Sequence, residues 1–228
     1  IGALNAFRSC GARTVGIELE IDGIDPEKLD RLISETPDAK MLYLIPTFQN
    51  PAGITTYLEK RLAIYEVAKK HNIIIFEDNP YGELRFSGEE IPTFKSMDSE
   101  GLVIYSSSFS KILSSGMRVG YVTAPIEIIQ KMVVAKQSED VHTNIFFQMM
   151  CHKYISEYDL DAHINEIRNL YRAKCDLMLK TLDENMPKEV TYTRPEGGLF
   201  IWGTLPDSVN EPEFVKKAIE HKVAVVPG

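Results

Sequence analysis

Several things this chain has little of narrow its function before any motif is read. No apolar run approaches the roughly 20 residues that a membrane-crossing helix needs, so no membrane span is predicted. Cations are in the minority, 25 Lys and Arg against 33 Asp and Glu, and they form no cluster. A nucleic-acid surface needs a basic stripe, so none is expected through this chain. Cysteine is scarce. Cys10, Cys151 and Cys175 are scattered and odd in number, with no CxxC pair and no Cys/His grouping. Reduced thiols in a cytoplasmic protein account for them, and no metal site is expected. The five histidines are dispersed as well. An initiator methionine is missing, and Val223–Gly228 reads as a strand entering a turn, so the chain is expected to be part of a longer protein.

What is present alternates between two patterns. Thr14–Leu19 reads as a strand, and Ile1–Phe7 as the end of a helix. Asp25 is a candidate helix N-cap with Pro26 at the first helical position, and that helix is predicted to run to about Glu35. Met41–Ile45, Ile73–Phe76 and Leu102–Tyr105 are wholly apolar or nearly so, as strands covered on both faces are. A helix is predicted over Tyr57–His71, with Leu58, Leu62, Tyr65 and Ala68 at helical spacing. A further strand is predicted over Val119–Ala124. This alternation argues for an α/β fold, a mostly parallel sheet with helices on both faces.

From Ile126 the character becomes helical. Helices are predicted over Ile126–Gln137, Asn144–Ser156 and Leu160–Asn185, the last long enough to link two domains. Short strands over Val190–Thr193 and Leu199–Trp202, a helix over Glu211–His221 and a strand over Val223–Val226 complete the reading. The predicted organisation is a large domain over 1–160, then an interdomain helix and part of a small α+β domain over 161–228.

The chemistry concentrates just past the strands. Tyr105–Gly120, YSSSFSKILSSGMRVG, places Lys111 among hydroxyls, with Ser108 and Ser110 before it and Arg118 after it. A lysine there suits a Schiff base with a carbonyl cofactor, and an arginine suits phosphate oxygens. A solvated serine-rich loop fits the same residues. Ligands in open α/β sheets sit outside the carboxyl ends of the strands, and the polar residues at those ends are Asn50, Asp78, Tyr81, Ser108 and Lys111. Taken singly, Asn50-Pro51-Ala52-Gly53 is turn chemistry, Tyr81 a packing residue, and Glu77 a rival to Asp78.

Together, Pro46-Thr47-Phe48-Gln49-Asn50-Pro51-Ala52-Gly53, Glu77-Asp78-Asn79-Pro80-Tyr81 and Ser108-Phe109-Ser110-Lys111 with Arg118 closely resemble the fold-type I pyridoxal-phosphate (PLP) aminotransferases, in the branch of the 2-aminoadipate, kynurenine and aromatic amino acid aminotransferases. The resemblance spans about Thr14 to Gly228. It implies that Lys111 carries the PLP Schiff base and shuttles the substrate proton. It implies that Asp78 pairs with the ring nitrogen, that Asn50 and Tyr81 bond the ring hydroxyl, and that Ser108, Ser110 and Arg118 hold the phosphate. The glycines of Arg194–Trp202 would let backbone approach the substrate. An amino acid and a 2-oxo acid would be the substrates, and a homodimer the assembly. By the same resemblance, an N-terminal arm and a phosphate loop would precede Ile1, and a carboxylate-binding arginine would follow Gly228. An aminotransferase-like effector domain of a winged-helix transcription regulator, or a PLP lyase or synthase, is the alternative.

Overall fold

The computed structural model describes residues 2–227; Ile1 and Gly228, which belong to the first predicted helix and the last predicted turn, lie outside them. The centre is a four-stranded sheet of β3 (Met41–Leu44), β4 (Ile74–Asp78), β5 (Val103–Ser108) and β6 (Gly120–Thr123), in that order. β3, β4 and β5 run parallel, and β6 is antiparallel to β5 with Ser108 opposite Gly120. The register sets Leu44 against Glu77 and Asp78 against Ser106, so the polar ends of neighbouring strands line up at one edge.

One sheet face is covered by α2 (Pro26–Ser34), α3 (Leu58–His71) and the short α4 (Phe94–Met97). Leu29, Ile33, Ile64, Tyr65, Ala68, Phe94, Leu44, Ile75 and Val103 form its core. Fully burying a side chain such as Phe94 or Ile75 stabilises by about 2 kcal/mol. On the opposite face, Phe7 of α1 (Gly2–Ser9) meets the Tyr43 ring edge-on at 5.8 Å. Asp25 caps α2 as predicted, accepting from the Glu27 and Lys28 amides with Pro26 at the first turn. This satisfies amide groups that a helix start otherwise leaves unpaired.

α3 has the predicted extent, and Tyr65 and Ala68 are buried as predicted, but the first half of its predicted inward face is not. Leu58 and Leu62 are exposed, while Arg61, Ile64, Tyr65 and Ala68 point inward. The stripe is rotated because a cation occupies its first inward position, so counting apolar residues alone mis-phased it. Thr14–Leu19 forms no strand over Thr14–Glu18. Strand pairing is confined to β1 (Leu19–Glu20) and β2 (Gly23–Ile24), a small antiparallel hairpin. No partner lies beside the earlier residues among those described, and unpaired backbone has no reason to extend.

Helices α5 (Ile126–Glu139), α6 (Ile145–Glu157), α7 (Leu160–Asn185) and α8 (Glu211–Glu220) follow close to prediction. α7 lays Ile164, Ile167 and Tyr171 against Tyr81, Leu84 and Ile112. The strand predicted at Val190–Thr193 shrinks to β7 (Thr191–Tyr192), and none forms over Leu199–Trp202; β7 pairs with β8 (Gly203–Thr204), just past that stretch. The intervening backbone bonds elsewhere: Phe86 N donates to Glu196 O at 2.9 Å, and Gly198 N to Leu84 O at 3.1 Å. Val223–Val226 is irregular and exposed, with no neighbouring strand among the described residues to complete a ladder.

Asp98, on the loop into β5, illustrates how the sheet is held. It accepts from the Leu102 and Val103 amides, the Tyr65 hydroxyl and the Lys95 ammonium at 2.9 to 3.1 Å. Burial alone would raise its carboxyl, but Lys95 and the two amides outweigh it and hold it below the usual value. A carboxylate lowered in the folded state adds stability that is complete above the unfolded pKa, about 4, and is lost as pH falls through the folded value. Asp98→Asn is therefore expected to cost about 1–2 kcal/mol at pH 7 in urea unfolding. The deficit should shrink below about pH 4; a deficit constant down to pH 3 would refute this account.

Candidate active site

Three short stretches converge at the carboxyl edge of the sheet. The first is the loop 46–56 between β3 and α3. Its two ends are tied by Arg61, which donates to Pro46 O (3.1 Å), Thr47 Oγ1 (2.8 Å) and Thr56 O (2.7 Å). A guanidinium has the several donors in fixed directions that such a tie needs. Phe48 is fully buried with φ 51°, and its ring carries the Arg85 guanidinium at 4.8 Å. From the loop tip, Asn50 Nδ2 donates to the Tyr81 hydroxyl at 3.2 Å.

The second stretch begins at the end of β4. Strand alternation separates its carboxylates. Glu77 turns into the core, fully buried, where it accepts from the Phe94 and Lys95 amides and lies 4.0 Å from Arg61 Nη1. Asp78 turns to the other face, half-buried. Its Oδ2 accepts from the Tyr43 hydroxyl at 2.6 Å, and its Oδ1 from Ser106 Oγ at 3.2 Å. No cation pairs with Asp78 among the described residues. Glu77 is thus committed to the core, and Asp78 is the carboxylate that faces away from it. Tyr81, 5% exposed, stands edge-on to Phe200 at 5.6 Å. Burial is the chief cause that raises its hydroxyl, so it remains a proton donor at neutral pH.

The third stretch is the turn between β5 and β6. Ser108 Oγ and Ser110 Oγ are 2.7 Å apart, and Ser110 N donates to Ser108 Oγ at 3.0 Å. Lys111 Nζ lies 5.8 Å from the centre of the Tyr81 ring. Arg118, exposed at φ 54°, closes the same turn and donates to Ser115 O at 3.1 Å. Asn50, Tyr81 and Lys111 are therefore brought together, and the two serines form a hydroxyl pair. The Arg118 guanidinium bonds its own turn, with no hydrogen bond to either serine among the described residues.

Two participants escaped the sequence reading. Tyr43 sits in an apolar run that reads as strand core, although strand alternation puts it on the Asp78 face. Ser106 was one serine among several. The 194–202 segment was expected near the site, and it underlies the Asn50 loop. A Cβ on Gly197 would lie 2.2 Å from Phe48 Cζ and 2.5 Å from Leu84 O. Gly197→Ala is accordingly expected to cost about 1–3 kcal/mol through overpacking. It should also weaken any ligand held by Asn50; unchanged thermal stability would count against this packing.

Two surface cavities, of about 300 and 370 Å³, lie apart from Lys111. No group of three or more His, Cys, Asp or Glu able to hold a metal ion occurs among the described residues. No described helix is long and apolar enough to cross a membrane.

Known proteins resemble this chain in sequence and fold. The family described as aminotransferase class I and II matches residues 4–228. An aromatic-amino-acid aminotransferase of Thermococcus litoralis is 44% identical over all of this chain, which covers 56% of that protein. A 2-aminoadipate transaminase of Thermus thermophilus is 38% identical over all of the chain, covering 58% of that relative. The crystal structure of Pyrococcus horikoshii kynurenine aminotransferase superimposes with a TM-score of 0.95 at 42% identity, over 99% of this chain and 57% of its own. The chain thus spans a little over half the length of the relatives it matches, and it belongs to the aminotransferase class I and II family.

Proposed function

We propose that the protein containing this chain is a PLP-dependent aminotransferase, exchanging the amino group of an amino acid with a 2-oxo acid. The observation that carries the reading is the Lys111 amine beside the Tyr81 ring, at the same strand edge as the Asp78 carboxylate. The donor set fits the cofactor. It offers an amine without an ion pair among the described residues, an anion bonded only by neutral hydroxyls, a phenol–amide pair, and a hydroxyl pair on a turn that also carries an arginine. The relatives named for kynurenine, aromatic residues and 2-aminoadipate support an α-amino acid of larger side chain as the donor substrate.

Pyridoxal phosphate, when bound, supplies an aldehyde for amine exchange and a cationic ring that draws electrons from the bond being broken. Lys111 would hold that aldehyde through its amine and would move the proton at the substrate α-carbon. Such a transfer contributes about 10²–10⁴ in rate. Asp78 would hold the proton on the ring nitrogen; an ion pair at about 4 Å and an effective dielectric near 20 is worth about 4 kcal/mol. Asn50 and Tyr81 would hydrogen-bond the ring hydroxyl. Ser108, Ser110 and Arg118 would hold the phosphate.

We assign residues 1–160 to a large domain, and 161–228 to an interdomain helix with part of a small domain. A cytoplasmic homodimer completes the proposal. Exposed Val133, Val134, Phe146 and Met149 on α5 and α6 supply apolar surface of the kind a partner covers. The test uses the full-length protein with pyridoxal phosphate. Borohydride should fix the cofactor mass on the Lys111 peptide, and an amino acid with a 2-oxo acid should exchange amino groups. Cofactor mass on a different lysine, or no exchange with any amino acid, would overturn the reading.

A further inference from the structure

Asp78 has more company than its proposed role requires. Tyr43 Oη donates to Oδ2 at 2.6 Å and Ser106 Oγ to Oδ1 at 3.2 Å, so each carboxylate oxygen has already spent one acceptor site. The tyrosine is itself held. Its ring meets Phe7 edge-on and Phe76 at a tilt, both at 5.8 Å, one from α1 and the other from the neighbouring strand. Burial, then the bond to Asp78, raises its hydroxyl well above the ordinary value, so it stays a donor across the neutral range. A carboxylate bonded from both sides by fixed hydroxyls cannot rotate freely. Its remaining lone pairs therefore point in a set direction.

We propose that Tyr43 is a positioning residue for Asp78. Together with Ser106 it clamps the carboxylate plane, so that the free acceptor sites face the ring nitrogen of the cofactor and no rotation is lost when the cofactor binds. The inference rests on the reading that Asp78 partners that nitrogen. Pre-fixed acceptors raise affinity because their ordering is complete before the ligand arrives, and hydrogen bonds to a charged group are stronger than neutral ones. Neither hydroxyl touches substrate; both act through the carboxylate.

The test compares two probes, pyridoxal phosphate and its 1-deaza analogue, in which carbon replaces the ring nitrogen. Equilibrium dissociation constants are measured by quenching of protein fluorescence in the full-length protein, and no turnover is needed. The ratio of the two constants cancels whatever the aldehyde contributes at Lys111. Wild-type protein should prefer the natural cofactor. Tyr43→Phe should shrink that preference by about tenfold, the scale of one lost bond to a charged group. Ser106→Ala, with the longer bond, should shrink it by about threefold, and it stands in should Tyr43→Phe fail to fold. A merely structural tyrosine would weaken both probes equally and leave the ratio unchanged, which overturns the proposal. Asp78→Asn separates the two claims. If Asp78→Asn keeps the wild-type ratio, the Asp78 reading itself falls. If it abolishes the preference while Tyr43→Phe and Ser106→Ala retain it, only the clamp falls.

Discussion

Lys111→Ala in the full-length protein is expected to lower amino transfer by about 10³-fold or more, since on the proposed reading it removes both the covalent attachment and the proton carrier. The structure explains why no other group substitutes. Tyr81, whose ring centre lies 5.8 Å from Nζ, is kept protonated by burial and is already bonded by Asn50. Folding should be untouched, because the amine forms no ion pair or hydrogen bond among the described residues. Three measurements check this: the exchange rate, borohydride trapping, and the thermal midpoint. The cofactor mass should vanish from the 111 peptide with the midpoint unchanged. Adding a small primary amine should restore part of the rate, because it supplies the missing base without the tether. A variant that keeps even a tenth of wild-type activity would exclude Lys111 from the chemistry.

The second large effect concerns stability. Arg61→Met should destabilise the fold by about 3–5 kcal/mol, the usual cost of breaking a buried pair by removing one partner. Arg61 and Glu77 are both fully buried, 4.0 Å apart, and Arg61 also satisfies the carbonyls of Pro46, Thr56 and Pro92. Burial already pulls the guanidinium down to about 10 and pushes the Glu77 carboxyl up. Without Arg61 the carboxyl rises further. A carboxyl raised in the folded state destabilises as pH climbs through the unfolded and then the folded value. The Arg61→Met deficit should therefore be full at pH 8 and smaller near pH 5. Adding Glu77→Gln should recover part of it. Urea unfolding at the two pH values decides the matter; a loss below about 1 kcal/mol would mean that the core tolerates the unpaired glutamate.

Much of this was legible because it is local. Asp25 followed by Pro26 announces a helix start, and the apolar runs at Met41–Ile45 and Ile73–Phe76 announce covered strands. Asn50, Asp78, Tyr81 and Lys111 each follow a strand, where sheet topology gathers them. What was missed depends on partners distant in sequence. The buried face of α3 turns on Arg61 serving a loop that begins fifteen residues earlier. The extents of β1, β7 and β8 were set by which backbone happened to lie opposite. Tyr43 meets Asp78 across 35 residues of chain, and nothing in its apolar surroundings marks a hydroxyl with a task.

The ion pair of Arg85 with Glu196 joins positions 111 residues apart, and Gly197 beside it forms the bed on which Phe48 rests. During synthesis the sheet bearing Asp78 and the turn bearing Lys111 leave the ribosome first, while the Asn50 loop still lacks its support. The candidate site therefore matures late: in a nascent chain the Asn50 loop gains its bed only after the residues beyond α7 have emerged and folded back.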